Sequence, residues 1–297
     1  MTAVMEASDR DLPPGLTTRP VGEDDLDAAQ ALSQEAGWNQ TADDWRIFLE
    51  LGRVIAIARG NDRLIATAAM LPYRPDFAWI SMVLVTAAER RQGLARWLLS
   101  RCIEELLGQK LVPLLDATPA GRAVYVGLGF QDCWRMRRLI AKTVGAPNAP
   151  ESAAVTIRAV DKRDWQPIIA FDKAVFGADR SALLQRLARR LPAAALVAEQ
   201  HGRIVGYLFG RDGRNMNQLG PLAGADERIA IALLTQAITN VPPPLAVDLP
   251  DRHASLSDWL SALGFAAERP LTRMAFGRSQ PFDDSAHLFA VAGPELG

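Results

Sequence analysis

The sequence predicts a protein of two α/β domains, each a mixed sheet with helices on its faces. Two observations support this. In the first half, segments with strand or helix periodicity follow the order strand, helix, helix, three strands, helix, strand, helix and two closing strands. The chain of 297 residues also carries a weak internal repeat, which indicates a second copy of the same fold.

Each element of the first half has a local justification. Asp24 and Thr41 are suitable N-caps for the first two helices, and Gly60-Asn61-Asp62 is a hairpin signal. An apolar stripe that includes Leu94 and Cys102 marks the third helix. The predicted strands are 17–21, 54–59, 64–71, 79–85, 111–115, 130–134 and 138–142, and the predicted helices are 24–36, 43–51, 93–107 and 120–128.

The repeat consists of short segments that recur in the same order at an offset of about 140 residues. The matching pairs are 19–25 with 158–164, 57–66 with 197–206, and 128–130 with 263–265. A segment rich in Pro, Gly and Ala lies between the copies. We therefore predict domains at 13–143 and 153–278, a linker at 144–152 and a C-terminal tail at 279–297.

Composition and charge exclude several classes of function. Lys and Arg number 33 and Asp and Glu 34, so the net charge of −1 favours neither nucleic acid nor an anionic membrane as a partner. The sequence contains no apolar run of the ~18 residues that a membrane span needs and no secretory signal. Two cysteines and three histidines show no metal-ligand spacing. We expect a soluble, cytoplasmic protein without a metal.

One segment, Val83 to Arg96, has the features of an anion-binding site. It is predicted as a strand, a short turn and a helix start. The first N–H groups of a helix have no partner within the helix, and the helix dipole adds positive charge there. Gly93 and Ala95 would let a phosphate approach these groups, and Arg90, Arg91 and Arg96 add charge. The alternative is a basic helix start exposed to solvent.

A second informative segment runs from Leu115 to Phe130. A buried strand ends, and Thr118-Pro119 supplies an N-cap followed by proline at the first helical position. Tyr125 lies in this helix, and Gly129 follows it as a C-terminal cap.

These two segments resemble the GNAT superfamily of acyl-CoA N-acyltransferases in residue type, order and spacing. The similarity covers about residues 16–142 and rests on Arg90-x-x-Gly93-x-Ala95 and on Tyr125 four residues before Gly129-Phe130. The resemblance implies a sheet splayed open between the fourth and fifth strands. It also implies acetyl-CoA as co-substrate, with its pantetheine arm in the gap.

The resemblance further implies which residues hold acetyl-CoA. These residues lie in the fourth strand, in the turn after it and at the start of the two following helices. They are Met82, Val83, Leu84, Val85, Arg90, Arg91, Gln92, Gly93, Leu94, Ala95, Arg96, Thr118 and Gly121. The reaction implied is direct transfer of an acetyl group to a primary amine.

Tyr125 matches the family's general acid, which protonates the departing thiolate. A phenol with a pKa of ~10 stays protonated at neutral pH. The alternative is a buried tyrosine that only satisfies its hydroxyl. The general base is less defined: Asp76 flanks the fourth strand near the expected acceptor mouth, but it also fits a solvated loop, and a water chain could serve instead.

The acceptor is expected near the connection between the first two helices, where Trp38 and Asn39 are candidate substrate-binding residues. A tryptophan there could stack on a cationic amine or could pack in the core. We predict a small-molecule amine as substrate and a possible homodimer. Two other functions stay open: a non-catalytic acyl-CoA sensor and a protein N-acetyltransferase.

The second half has neither the anion-binding helix start nor the tyrosine. Aligning Arg228 with Arg90 places Ile231 at the position of Gly93, and Leu260 falls at the position of Tyr125. We therefore predict a GNAT-like fold without a working site. The segment Phe176 to Arg180 resembles a motif of such divergent halves; Asp179 and Arg180 either border a ligand pocket or form a helix cap.

Overall fold

The computed structural model describes residues 12–60, 63–147 and 155–297. Asn61 and Asp62 of the predicted hairpin turn, and residues 148–152 of the predicted linker, lie outside these ranges. The strands are β1 (Leu16–Pro20), β2 (Arg53–Arg59), β3 (Arg63–Tyr73), β4 (Phe77–Val85), β5 (Val112–Ala117), β6 (Phe130–Ala141), β7 (Thr156–Ala159), β8 (Leu196–Gln200), β9 (Arg203–Arg211), β10 (Asn217–Gly224), β11 (Leu245–Pro250), β12 (Ala266–Phe276) and β13 (Leu288–Ala290).

The strands form one sheet, and eight α-helices in the described ranges flank it. They are α1 (Leu26–Glu35), α2 (Ala42–Leu51), α3 (Leu94–Gly108), α4 (Pro119–Gly127), α5 (Trp165–Phe176), α6 (Ser181–Arg190), α7 (Glu227–Asn240) and α8 (Ala254–Ala262). Thr41 is the N-cap of α2, as predicted. The prediction for Asp24 is wrong, because a short 3-10 turn precedes α1 and Asp25 becomes its N-cap.

The two halves exchange their last strands. The sheet order is β1-β2-β3-β4-β5-β12-β6-β11-β10-β9-β8-β7, so β12 of the second half pairs with β5, and β6 of the first half pairs with β11. The prediction of two closing strands at 130–134 and 138–142 is wrong. These residues form the single strand β6, because its neighbours on both sides come from the second half.

The sheet opens at two places. The parallel strands β4 and β5 pair only from Phe77 to Trp79, and they diverge from Ile80 onward. In the second half, β10 and β11 pair only at Asn217 and Gln218. Each half therefore contains a V-shaped gap beside its fourth strand.

The core continues across both halves. The ring of Phe176, at the end of α5, lies 4.8 Å from the Tyr73 ring and 5.5 Å from the Phe77 ring, measured between centroids. All three side chains are buried. Aromatic side chains bury large apolar areas, so these contacts hold the halves together as one body.

The internal repeat reflects a shared ion pair. Arg19 donates two hydrogen bonds of 2.7 Å to Asp25. Arg158 donates bonds of 2.6 and 2.8 Å to Asp164 in the same way. In both copies the aspartate also accepts a backbone N–H from three residues earlier. The pair ties the first strand of each half to its first helical turn.

Candidate active site

The fourth strand carries a bulge next to the gap. Thr67 faces Leu84 and Ala69 faces Ser81, so β4 has one residue more than β3 in this interval. Met82 lies within it with φ of 51°, and its carbonyl accepts a 2.9 Å hydrogen bond from the Thr67 hydroxyl. A bulge of this kind redirects backbone groups, here beside the strand edge that β5 leaves open.

A loop held at both ends connects β4 to α3. Glu35 accepts hydrogen bonds from the Thr86 hydroxyl and the Ala87 N–H, at 2.8 and 2.7 Å. Near the other end, Glu89 pairs with both the Nε and Nη2 nitrogens of Arg59, at 2.9 and 3.1 Å. The Gln92 amide also donates to Glu89, so its side chain supports the loop from within.

The loop ends on a helix N-terminus that is open to solvent. Gly93 is the N-cap of α3 with φ of 81°, a conformation that favours glycine. Arg90 bonds back to the Val85 carbonyl at 3.2 Å. Arg91 and Arg96 are exposed and form no ion pair with any described residue. The N–H groups of a helix start, the helix dipole and free guanidinium groups all favour the binding of an anion such as a phosphate.

Helix α4 positions the predicted acid. The Thr118 hydroxyl accepts the Gly121 N–H at 3.2 Å and caps the helix. A Cβ added to Gly121 would lie 2.9 Å from Cε2 and 3.2 Å from the hydroxyl of Tyr125, so the glycine makes room for the phenol. Burial raises the pKa of Tyr125 above its ordinary value. The phenol is therefore protonated at neutral pH.

A cavity of about 210 Å³ lies between these elements. Its wall combines residues of both halves and of the C-terminal tail. They are Trp38, Asn39, Gln40, Ile80, Ser81, Met82, Val83, Leu115, Asp116, Thr118, Tyr125, Arg138, Arg269, Leu271, Pro294 and Glu295.

The carboxylates of the cavity wall are held by cations. Arg273 pairs with both oxygens of Asp116 at 3.0 Å. Burial raises the pKa of the Asp116 carboxyl to about 6, against the opposing charge of Arg273. Glu295 accepts a 2.7 Å hydrogen bond from the Gln40 amide and a further bond from Arg211. The wall is therefore polar and largely fixed by ion pairs.

Comparison with known proteins identifies this arrangement. Residues 22–130 match the acetyltransferase (GNAT) family, and residues 168–290 match an acetyltransferase (GNAT) domain. Together the two matches span more than half of the chain. The chain belongs to the GNAT superfamily. It carries two GNAT domains, as the sequence predicted.

Individual relatives agree with this assignment. The chain is 24% identical over 267 residues to the uncharacterized N-acetyltransferase YitH of Bacillus subtilis (strain 168). The aligned region covers 90% of this chain and 93% of that protein. A putative acetyltransferase from Pyrococcus horikoshii has the same fold at 18% identity and a TM-score of 0.78, covering 98% and 99% of the two chains.

A tandem GNAT protein from the clavulanic acid biosynthesis pathway is also similar in fold. Its TM-score is 0.63 at 12% identity, with 88% of this chain and 98% of that chain covered.

The second GNAT domain has its gap filled by the C-terminal tail. Strand β13 pairs with β10, with Leu222 opposite Ala290 and Ala223 opposite Leu288. On its other side, the Val291 N–H donates to the Asp248 carbonyl of β11 at 3.1 Å. The tail thus occupies the space that the first GNAT domain leaves open beside β4.

The helix start of the second GNAT domain also differs. The N-cap of α7 is Asp226, whose carboxylate accepts the Ile229 N–H at 2.9 Å. Asp226 therefore corresponds to Gly93, and the alignment that placed Ile231 there is wrong. The physical conclusion is the same, because a carboxylate at this position takes the N–H groups that a phosphate needs. Leu260, at the position of Tyr125, is fully buried.

The predicted acceptor residues have mixed outcomes. Trp38 and Asn39 line the cavity. However, the Asn39 side chain binds backbone groups of the second half: it donates to the Met216 carbonyl at 2.9 Å and accepts the Asn215 and Met216 N–H groups. Asn39 thus joins the two GNAT domains at the cavity wall. Neither Asp179 nor Arg180 lines the cavity.

The structure corrects the expectation for Asp76. This residue lies in an exposed turn before β4 and does not line the cavity. It precedes Met82 by six positions along the strand, a separation of ~20 Å at ~3.3 Å per residue. Asp76 therefore does not reach the reacting groups. For the motif that includes Asp179, the capping alternative is wrong by one residue: Arg180 is the N-cap of α6, and the Asp179 carboxylate just before it accepts the Ser181 N–H at 2.8 Å.

Sequence reasoning missed six polar residues of the cavity wall: Gln40, Ser81, Asp116, Arg138, Arg269 and Glu295. Gln40 directly follows the predicted pair Trp38-Asn39, and Ser81 directly precedes the predicted Met82, so their positions were available signals. Arg138, Arg269 and Glu295 reach the site through the strand exchange and the tail, which no local pattern indicates.

The described residues contain no group of three or more His, Cys, Asp or Glu side chains placed to hold a metal ion. Within the same ranges, no helix is both long and apolar enough to span a membrane.

Proposed function

We propose that this GNAT protein transfers an acetyl group from acetyl-CoA directly to a primary amine of a small molecule. One observation carries the proposal: the Met82 bulge, the Tyr125 phenol and a polar wall from both halves line a single cavity. One cavity thus contains groups that could activate a thioester, protonate a leaving thiolate and bind an acceptor.

The residues fit acetyl-CoA on the open side of β4. From Ile80 to Val85 this strand pairs with β3 alone, so its second edge offers backbone groups to the amides of a pantetheine arm. Gly93, with the exposed Arg91 and Arg96, offers N–H groups and charge to the phosphates. When bound, acetyl-CoA would supply the activated acetyl group, and these residues would hold and orient it.

The chain contributes to two stages of the transfer. Backbone N–H groups at the Met82 bulge stabilise negative charge on the carbonyl oxygen as the amine nitrogen bonds to the carbonyl carbon. When the carbon–sulfur bond breaks, Tyr125 gives its proton to the thiolate and recovers one from solvent. An ammonium first loses one proton so that the neutral amine can attack, and the nitrogen loses a second proton to a base after the C–N bond forms. The products are the acetylated amine and CoA.

The shape of the wall favours a small acceptor over a protein. Loop residues of the first half, strands β6 and β12, and the tail residues Pro294 and Glu295 surround the cavity. An extended peptide needs a groove open at both ends. A cavity walled by both GNAT domains and the tail suits a compact molecule instead.

The test is an acceptor screen with the full chain and acetyl-CoA. We expect release of the CoA thiol with at least one small primary amine and formation of the acetylated product, measured by mass spectrometry. The matching tertiary amine, which has no N–H to lose, is the control. Acetylation of peptides or protein N-termini without turnover of any small amine would contradict the proposal.

A further inference from the structure

Three polar atoms in the cavity wall have no hydrogen-bond partner among the described residues. They are Gln40 Oε1, Ser81 Oγ and Arg269 Nε, all shielded from solvent. Buried polar atoms are nearly always paired. Three unpaired atoms in one cavity therefore point to a ligand that pairs with them.

Gln40 defines the first part of this ligand. Its Nε2 donates to Glu295 at 2.7 Å, and this bond fixes the amide orientation because an ionised carboxylate can only accept hydrogen bonds and so cannot pair with the amide oxygen. The Oε1 atom must then accept a hydrogen bond from the ligand. A carboxylate and a carbonyl oxygen side by side form a site for an N–H group, and most favourably for an ammonium.

Arg269 defines the second part. It faces Arg138 across the β6–β12 pair. Arg138 is neutralised by Asp248, with bonds of 2.8 and 2.7 Å, whereas a carboxylate oxygen of Glu268 is 3.9 Å from Arg269 Nε, beyond hydrogen-bond distance. Burial, together with the adjacent Arg138, lowers the pKa of Arg269. Arg269 therefore brings to the cavity wall an Nε donor without a hydrogen bond, on a guanidinium whose ion pair with Glu268 is long, at 3.9 Å.

We infer that the acceptor is an amine that also carries an anionic group, bound with its N–H groups at Gln40 and Glu295 and its anionic group at Arg269. The inference rests on the proposed function and names its substrate class. Ser81 Oγ can donate or accept, so it fits either end of such a molecule. A guanidinium pairs equally with a carboxylate and with a phosphate.

The test compares acceptors that differ only in the anionic group. One series contains amino acids with increasing separation between amine and carboxylate. A second contains the amines without the carboxylate, and a third contains aminoalkylphosphonates of the same lengths. We expect kcat/KM for the best anionic acceptor to exceed that of its matched amine by roughly 10- to 100-fold. The second and third series together separate a carboxylate from a phosphate preference.

Variants locate the effect. Arg269→Gln should raise KM for the anionic acceptor by about the same factor, and should leave KM for acetyl-CoA and for the matched amine unchanged. Arg135→Gln, on the exposed part of β6, is the control and should change neither. Gln40→Met should raise KM for both acceptor series, because both use the N–H site.

The outcomes separate this inference from the proposed function. Equal turnover of amines with and without the anion, or no effect of Arg269→Gln on an active enzyme, would overturn the inference alone. If no amine is acetylated, thermal unfolding tests whether the anion site exists. If an amino acid raises the Tm of the unmodified protein and does not raise the Tm of the Arg269→Gln variant, the site is supported. The absence of that rise overturns it.

Discussion

Leu222 of β10 lies opposite Ala290 of β13, at the place where the second GNAT domain opens its sheet. Ala290 is fully buried there. The equivalent edge of β4, from Ile80 onward, has no second strand partner in the described ranges. One gap is therefore filled by the chain's own tail, and the other is open to a ligand. We therefore expect a single acyl-CoA site in this protein.

The helix start at Gly93 should determine acetyl-CoA affinity. Gly93→Glu places a carboxylate where the phosphates bind, and like charges ~4 Å apart cost several kcal/mol near a protein surface. We expect Kd for acetyl-CoA, measured by calorimetry, to rise by roughly 100-fold.

Gly202→Glu is the matched control for that variant. Gly202 also has a positive φ, of 73°, and open space around its Cα. The Gly202→Glu variant has the same backbone strain and the same added charge, but far from the loop that precedes α3. The Tm of this variant should fall by a similar amount, while its Kd for acetyl-CoA stays unchanged. Equal effects of both variants on Kd would contradict the phosphate site.

Tyr125→Phe should reduce kcat by about 100-fold or more, since general acid catalysis contributes at this scale. Kd for acetyl-CoA should not change. Because burial raises the pKa of the phenol, the acid remains protonated through the neutral and mildly alkaline range. The kcat of the unmodified enzyme should therefore show no alkaline decline below about pH 10. A Tyr125→Phe variant with full kcat would remove the phenol from the mechanism.

Gly121 should matter through Tyr125. A methyl group at this position would lie 2.9 Å from the phenol ring, so Gly121→Ala should displace the ring and lower kcat without loss of acetyl-CoA binding. Gly127→Ala, in the same helix but with nothing within 4 Å of its Cβ, is the control. It should keep full activity and raise stability by up to ~1 kcal/mol. Equal activity of the two variants would show that the ring tolerates displacement.

The sequence reveals those parts of the site that depend on neighbours along the chain. Gly93 before α3, Thr118 before α4, and Tyr125 ahead of Gly129 are local signals of turns and caps, and the structure places them at the helix ends as expected. Their chemistry could be inferred because a helix N-terminus has the same electrostatics wherever it occurs.

The strand exchange could not be inferred in this way. Arg138 and Arg269 are adjacent across β6 and β12, although more than a hundred residues separate them in sequence. Pairing of distant strands is set by the whole sheet, not by local pattern. The tail is a second case: Trp79 donates to the Pro294 carbonyl at 2.9 Å, and Tyr73 donates to the Leu296 carbonyl.

The repeated ion pair should stabilise the fold above acidic pH. The hydrogen bonds from Arg158 lower the pKa of the nearly buried Asp164. A lowered folded-state pKa means that the stabilisation is present above the unfolded value near 4, and is lost as pH falls through the folded value. Asp164→Asn should therefore cost about 1–3 kcal/mol of unfolding free energy at neutral pH.

That cost should shrink as the pH drops below about 4, where the Asp164 carboxyl of the unfolded chain becomes protonated, and should be lost as the pH falls through its lower pKa in the folded protein. Denaturant unfolding at several pH values measures it. Asp24→Asn, at an exposed position in the matching turn of the first half, is the control and should have little effect at any pH. A cost for Asp164→Asn that does not depend on pH would contradict the ion-pair explanation.

The number of acetyl-CoA molecules bound per chain distinguishes one acyl-CoA site from two. Calorimetric titration of the full chain should give one site per chain, because β4 is open and the gap beside β10 is occupied by β13. Two equivalent sites per chain would contradict a single acyl-CoA site, since β13 would then have to leave the gap beside β10, where it is fully buried.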